Sequence, residues 1–529
     1  VPSRRQFLTR IGKAGGAGAM YAVMQAMGLL PGPEAGAAMP KLAADAGKGV
    51  RVIVLGGGVS GLGAALELQR GGYEVLLLEA AGRLGGRNWT LRGGDEVVEK
   101  DGTRQRCEFE PGEYFNAGPG RLPATHRRVM AYCRELGIEL ETQVTLNRSG
   151  RFHSDSAFNG QAVECRQLYH DTRGHLSELL SKCMRRGALD AEMDAQDREV
   201  LLDLLRDFGD LSDDWVYAGS QRAGYAAQPT AGLDFGRIRE PLSLQGLIEA
   251  RFFGWMMHED EVFGHQATLL QPVGGMDRVP QALAEACRPG SLRTGCVVTE
   301  LRNTRRGVFV GWRDSGDGTL HGETVDYCIS TLPFPAYRSI RHNFSAAKRA
   351  ALASGDRYDA CVKMAWHSRR WWEQDLAIYG GVSYTTREIE QIWYPSSGFH
   401  RADGIIVTSY NDREAAAAFG KLPPAERAAR ARASLDAVHP GYGKELQRPI
   451  SVPWQNIPYV EGPWPDWEAD DDETATQRFG LLAKPEQRIF FAGDIASLWA
   501  GWQEGALAAA EQAIAGIVSH QAEAGRSRA

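Results

Sequence analysis

Residues 50–90 read VRVIVLGGGVSGLGAALELQRGGYEVLLLEAAGRLGGRNWT, from Val50 to Thr90. Arg51–Leu55 is a short apolar, β-branched run, the pattern of a buried strand. Gly56, Gly58 and Gly61 follow at G-x-G-x-x-G spacing, 62–70 has helical character, and a second apolar run, Glu74–Leu78, ends on the acid Glu79. Each part has a physical reason. Gly56 makes a turn that a Cβ would obstruct, Gly58 lets backbone approach a pyrophosphate, and Gly61 lets the helix pack close to the strand. The helix N-terminus offers free N–H groups and a positive dipole end to phosphates, and Glu79 can accept from ribose hydroxyls. A lone glycine motif is weak evidence; a strand–turn–helix–strand–acid sequence around it is strong.

At 529 residues the chain is too long for one simple core, so two or three domains are expected. Hydrophobic residues are 43% and charged residues 24%, ordinary for a globular protein, and the formal net charge of −6 gives no support for nucleic-acid binding. Eight cysteines at 107, 133, 165, 183, 287, 296, 328 and 361 include no C-x-x-C pair, so neither a zinc site nor a dithiol redox motif is indicated and no metal is expected. No run reaches the ~18 apolar residues needed to span a bilayer. The N-terminus opens Ser3-Arg4-Arg5-Gln6-Phe7-Leu8 before a mild Gly/Ala-rich segment, with Ala35-Gly36-Ala37 as a small-residue cleavage candidate. Residues 1–40 are therefore expected to act as a twin-arginine export signal, giving a periplasmic or secreted protein, or a cytoplasmic one if the signal does not function.

The segment after the second strand, Arg83-Leu-Gly-Gly86-Arg87-Asn-Trp-Thr90, resembles the R-x-G-G-R-x-x-[ST] motif of FAD enzymes of the flavin amine oxidase superfamily. Its two arginines suit diphosphate. Residues 118–126, GPGRLPATH, resemble the G-x-x-R-x-P-x-x-H element of the L-amino acid oxidases, in which the arginine, here Arg121, pairs with the substrate carboxylate. Residues 272–280, PVGGMDRVP, resemble another superfamily segment, and Val298 falls in the stretch that contacts adenine. Residues 488–494, RIFFAGD, followed by 501–506, GWQEGA, resemble the closing flavin motif.

The resemblance implies noncovalent FAD, since the S-G-G-C attachment motif is absent. It carries cofactor contacts to Gly56, Gly58, Ser60, Gly61, Glu79, Ala80, Arg83, Gly86 and Arg87, then to Gly118, Pro119, Gly120, Arg121 and Val298. Near the C-terminus it adds Gly493, Asp494, Gly501, Trp502 and Ala506. Substrate contacts are expected at Arg121, at Tyr394 in Gln391–Tyr394 with Trp393 as the alternative, at Gly501 and Trp502, and at Trp464. Alternation in 359–366 turns Lys363 away from its apolar neighbours; the superfamily uses a lysine there to hold a water against the flavin, so Lys363 is the expected catalytic residue. His258 reads as structural, and Glu259-Asp-Glu261 as a solvated face.

The fold class implied is α/β: a discontinuous Rossmann-like FAD-binding domain (48–103, 265–357 and 484–520), a mixed-sheet substrate domain (104–160 and 358–483) and a helical insert (161–264). The implied reaction is oxidative deamination of an L-amino acid by dioxygen, with no nucleic acid, no stable membrane insertion, and a homo-oligomer such as a dimer left open. Amino-acid 2-monooxygenase, amine oxidase and a non-catalytic flavin scaffold are the alternatives.

Overall fold

The computed structural model describes residues 42–188, 191–252, 254, 258–259, 261–353, 358–467 and 472–526. The twin-arginine segment expected over 1–40 lies outside the described residues. Strand Arg51–Leu55 is the centre of a five-stranded sheet in the order Leu292–Arg293, Glu74–Leu78, Arg51–Leu55, Tyr327–Ser330, Ile489–Phe491. Every pairing in it is parallel. Its strands are nearly continuous apolar runs because parallel sheets are covered on both faces. Helices Val59–Arg70, Arg278–Ala286 and Gln503–Arg526 cluster beside it, and Val52, Ile53, Val54, Leu62, Leu66 and Leu507 share one buried core.

The chain runs from the central strand to one side and later to the other, so the order switches at Arg51–Leu55. Ligands of open parallel sheets sit beyond the carboxyl ends of the strands at such a switch. Four strand ends meet there: Leu55 leads to Gly56, Leu78 to Glu79, Ser330 to Thr331, and Phe491 through Ala492 to Gly493 and Asp494. Gly56, Glu79, Thr331, Gly493 and Asp494 all line one cavity of about 640 Å³.

A second, seven-stranded mixed sheet has the order Val163–Glu164, Arg151–His153, Gly381–Thr385, Gln391–Tyr394, Asp403–Asp412, Cys361–Arg369, Gln447–Pro453. Only the pairing of Arg151–His153 with Gly381–Thr385 is parallel. In Cys361–Arg369, Val362 and Met364 enter a core with Trp366, Trp371 and Tyr394, while Lys363 faces the other way. Helices Cys165–Arg185, Ala195–Gly209 and Leu244–Ala250 pack together within the stretch expected to be helical. The alternating run at 107–115 forms no strand before Phe115–Asn116, since Pro111 and Gly112 break it. All eight cysteines are free. Among the described residues no helix is long and apolar enough to cross a membrane, and no cluster of metal-binding side chains occurs.

The glycine turn is fixed by contact. A Cβ on Gly61 would lie 1.9 Å from the Gly56 carbonyl oxygen, and Gly56 itself has φ +99°. Gly61→Ala must push the helix off the strand, a forced overpacking that costs at least about 1–3 kcal/mol. A lowered melting temperature with loss of bound flavin is expected; an unchanged melting temperature would contradict the close approach.

Candidate active site

The 640 Å³ cavity begins at the glycine turn. The helix Val59–Arg70 starts at Gly58 with no side-chain cap on its first-turn amides. Gly58 has nothing within 4 Å of where a Cβ would stand, so backbone is open to the cavity. The Ser60 hydroxyl is buried with no partner. Opposite, the Glu79 carboxylate accepts from Gly57 N at 2.6 Å and Ala81 N at 2.7 Å. Burial pushes its pKa up, and these amides partly offset that. Ala80, Gly86, Gly118, Pro119, Val298 and Ala506 also line the cavity. Gly61 does not line it and serves the packing behind it.

The two arginines of 83–87 differ. Arg87 pairs with Asp494 and donates to the Pro463 carbonyl at 2.7 Å, and Tyr358 O–H reaches Asp494 at 3.2 Å. Arg83 lies over the Trp89 ring, 4.2 Å from its centroid, and forms no salt bridge among the described residues. Burial brings its pKa down to about 10. A half-buried cation in no salt bridge among the described residues, uncapped helix amides, an orphaned hydroxyl and an acid beside the turn together fit a dinucleotide diphosphate and its ribose. These residues would hold FAD by its pyrophosphate and ribose.

The far end of the cavity is aromatic. Trp464 is held by its indole N–H on Asp359 at 3.1 Å and stands 3.4 Å from the Gly501 Cβ position. Trp502 follows at the start of the C-terminal helix, braced edge-on by His126 at 5.0 Å. Burial lowers His126 to about 4, so it braces as a neutral ring. Lys363 Nζ donates to the Gly118 carbonyl at 2.5 Å and lies 4.3 Å from the Tyr410 ring centroid. Burial brings its pKa down to about 8. Gly118 sits so close that a Cβ there would lie 1.8 Å from the Arg87 carbonyl, which ties the 118–126 element to the arginine loop.

Arg121 is next to this end but does not line the large cavity. Its guanidinium lies 5.5 Å from the Trp393 ring and 5.6 Å from the Trp502 ring, and its Nε is buried without a partner. Gly120 is also outside the large cavity and lines a neighbouring one of about 330 Å³ that reaches Lys363 and Trp393; Arg121 lines neither. Both were expected among the cofactor contacts; the chain turns away from the large cavity after Pro119, and a Cβ on Gly120 would meet Trp393 at 3.2 Å.

Tyr394 is corrected by the structure. Its ring is in the core behind the sheet, and its hydroxyl bonds Ser383 Oγ at 2.7 Å and His439 Nε2 at 2.5 Å. The residue on the Arg121 side is Trp393, because neighbouring strand residues point to opposite faces. Glu259 is a second correction. It is not a solvated acid: its carboxylate meets Arg121 Nη2 at 3.4 Å and His265 Nδ1 at 2.9 Å. His258 pairs with Glu261 at the surface, 2.7 Å apart. Tyr410, Cys361 and Trp454 also belong to the cavity wall and were not anticipated. Tyr410 is the cross-strand partner of Lys363, a signal present only once strands are paired.

This geometry separates two neighbouring residues. Tyr394→Phe removes a buried hydroxyl with two partners and should cost about 1–3 kcal/mol of stability while leaving the Michaelis constant unchanged. Trp393→Ala should raise the Michaelis constant. A Tyr394→Phe enzyme of normal melting temperature and raised Michaelis constant would restore the discarded assignment.

Comparison with known proteins agrees with this arrangement. The family model described as flavin containing amine oxidoreductase matches residues 59–517. The chain is 28% identical over 507 residues to the flavin-dependent L-tryptophan oxidase RebO of Lentzea aerocolonigenes, covering 90% of this chain and 99% of that protein. It is 25% identical over 472 residues to an L-amino-acid oxidase of Bothrops pauloensis, covering 85% of this chain and 86% of the relative. Among solved structures it shares its fold with putrescine oxidase bound to putrescine (TM-score 0.57, 18% identity, 89% of this chain and 99% of that one). It shares it also with cyclohexylamine oxidase from Brevibacterium oxydans IH-35A (TM-score 0.59, 17% identity, the same coverage). With a mixed α/β fold, a cavity built for a dinucleotide and a family match along most of its length, the chain belongs to the flavin-containing amine oxidoreductases, and its cofactor is noncovalent FAD.

Proposed function

We propose that this protein oxidatively deaminates L-amino acids, consuming dioxygen and water and releasing a 2-oxo acid, ammonia and hydrogen peroxide. The observation that carries the reading is Arg121, whose guanidinium side chain is 10% exposed, with an unpartnered Nε, between Trp393 and Trp502. A substrate carboxylate loses its water on entering such a site, and only a paired cation makes that tolerable. An amine without a carboxylate has no use for it. FAD supplies the two-electron chemistry when bound. The chain supplies positioning: Arg121 fixes the carboxylate, and Trp464 and Trp502 wall the reacting carbon, which turns a bimolecular encounter into an oriented one. Lys363, brought to about 8 by burial, exchanges a proton with an adjacent water at little cost near neutral pH.

The five-stranded sheet with its glycine turn supports a discontinuous Rossmann-like FAD-binding domain, and the mixed sheet a substrate domain beside a helical insert. The Arg4-Arg5 pair supports export of the folded, flavin-loaded chain by a twin-arginine route. One observation favours the second reading, an amine oxidase: Glu259 already offsets the charge of Arg121 at 3.4 Å. The orphaned Nε weighs against it, since one long contact leaves the guanidinium half satisfied. A monooxygenase that yields the amide uses the same groups, and product analysis separates it.

Arg121→Met tests the reading. Removing one partner of a desolvated charge pair costs roughly 2–5 kcal/mol, or about thirty- to several-thousand-fold in kcat/KM for a good L-amino acid. Activity on the matching decarboxylated amine should barely change. Equal loss on both substrates would move the amine oxidase reading ahead.

A further inference from the structure

The guanidinium that reads a carboxylate is already met by an acid of this chain. Glu259 Oε1 lies 3.4 Å from Arg121 Nη2 and 2.9 Å from His265 Nδ1. The same His265 nitrogen is 3.0 Å from the Glu259 carbonyl oxygen, so this histidine holds the acid by side chain and backbone together. The His265 ring stands 5.6 Å from Trp502, the aromatic wall beside Arg121. Glu259 is therefore fixed behind Arg121, lining a separate small cavity rather than the large one. Two residues on, Glu261 shows the contrast: it is spent on His258 at the surface, and both of those side chains are more than half exposed.

We propose that Glu259 is a built-in competitor for the substrate carboxylate at Arg121, and that it sets how strongly the enzyme separates amino acids from amines. The inference rests on the amino acid reading of Arg121. A carboxylate arriving at Arg121 finds Nη2 occupied, and two carboxylates on one guanidinium in a dry site repel. Binding is thus an exchange. The Arg121–Glu259 contact opens, Glu259 stays with His265, and the substrate takes the Nε–Nη2 edge.

The geometry says which carboxylate wins. Glu259 reaches one nitrogen through a long contact and leaves Nε empty. A free carboxylate can take both N–H groups of that edge in the parallel, bidentate form that guanidinium favours. The exchange still lowers the apparent affinity, by the fraction of Arg121 that Glu259 leaves free. An amine without a carboxylate opens nothing and pays none of this cost. Glu259 accordingly weakens amino acids selectively and narrows the gap between the two substrate classes.

Glu259→Gln keeps the shape and removes the charge. The first readout needs no turnover: benzoate titrated against the flavin absorbance of the holoenzyme should bind about tenfold tighter in Glu259→Gln, equivalent to about 1.4 kcal/mol. The KM for a good L-amino acid should fall by a similar factor at nearly constant kcat, while the KM for the decarboxylated amine stays fixed. Glu259→Asp, which keeps the charge but retracts it by one methylene, should fall between wild type and Gln. Should the holoenzyme oxidise amino acids while benzoate affinity and KM are unchanged or weaker in Glu259→Gln, the competitor role is wrong and the amino acid reading stands. A wild-type enzyme that neither binds benzoate nor oxidises any L-amino acid would overturn both.

Discussion

The contact between Gly56 and Gly61 governs the rest of the molecule. With the Gly61 Cβ position 1.9 Å from the Gly56 carbonyl, helix and strand approach as closely as backbone allows. That approach brings the uncapped amides of Val59–Arg70 over the carboxyl edge of the parallel sheet. The ends of four strands then arrive at one place, and the loops they carry bring in Glu79, Thr331 and Asp494. The arginine loop is laid across the turn by a bridge between Gly58 and Gly85. Gly118 passes under the Arg87 carbonyl and so fixes the element that holds Arg121. Lys363 closes the chain of contacts by donating to the Gly118 carbonyl.

Charge is distributed along this path in a graded way. Arg87 is paired with Asp494, Arg83 feels Glu79 only at a distance and forms no salt bridge among the described residues, and Arg121 meets Glu259 through a single nitrogen. Buried cations that lack partners are costly, so they mark where an anion is expected. Arg83 beside the helix amides fits the diphosphate of a permanently held cofactor. Arg121, half satisfied, fits an anion that comes and goes. The aromatic side chains beside it, Trp393 and Trp502, exclude water and strengthen any charge pairing in the site.

What the sequence revealed follows from the range of the contacts involved. Arg51–Leu55 and Glu74–Leu78 form strands at the expected residues because apolar runs bounded by glycines are local signals. The face of Lys363 was legible through strand alternation, since Val362 and Met364 enter the core, while its expected role rested on the family resemblance. The family resemblance placed the substrate contact at Tyr394, one residue off, because Trp393 and Tyr394 are both aromatic and the pattern alone does not say which face is buried. Glu259 was illegible: its meaning is a contact with Arg121, 138 residues away, and an acid in a charged run otherwise reads as solvated. Arg87 and Asp494, 407 residues apart, were each recognisable by motif, while their pairing was not.

The central claim is that the site reads a carboxylate. Anaerobic mixing of the purified yellow holoenzyme with individual L-amino acids, and in parallel with the amine each gives on decarboxylation, tests it through the flavin absorbance alone. The account predicts rapid bleaching by at least one L-amino acid and slow or no bleaching by its amine. Bleaching by the amine as fast as by the amino acid would contradict it.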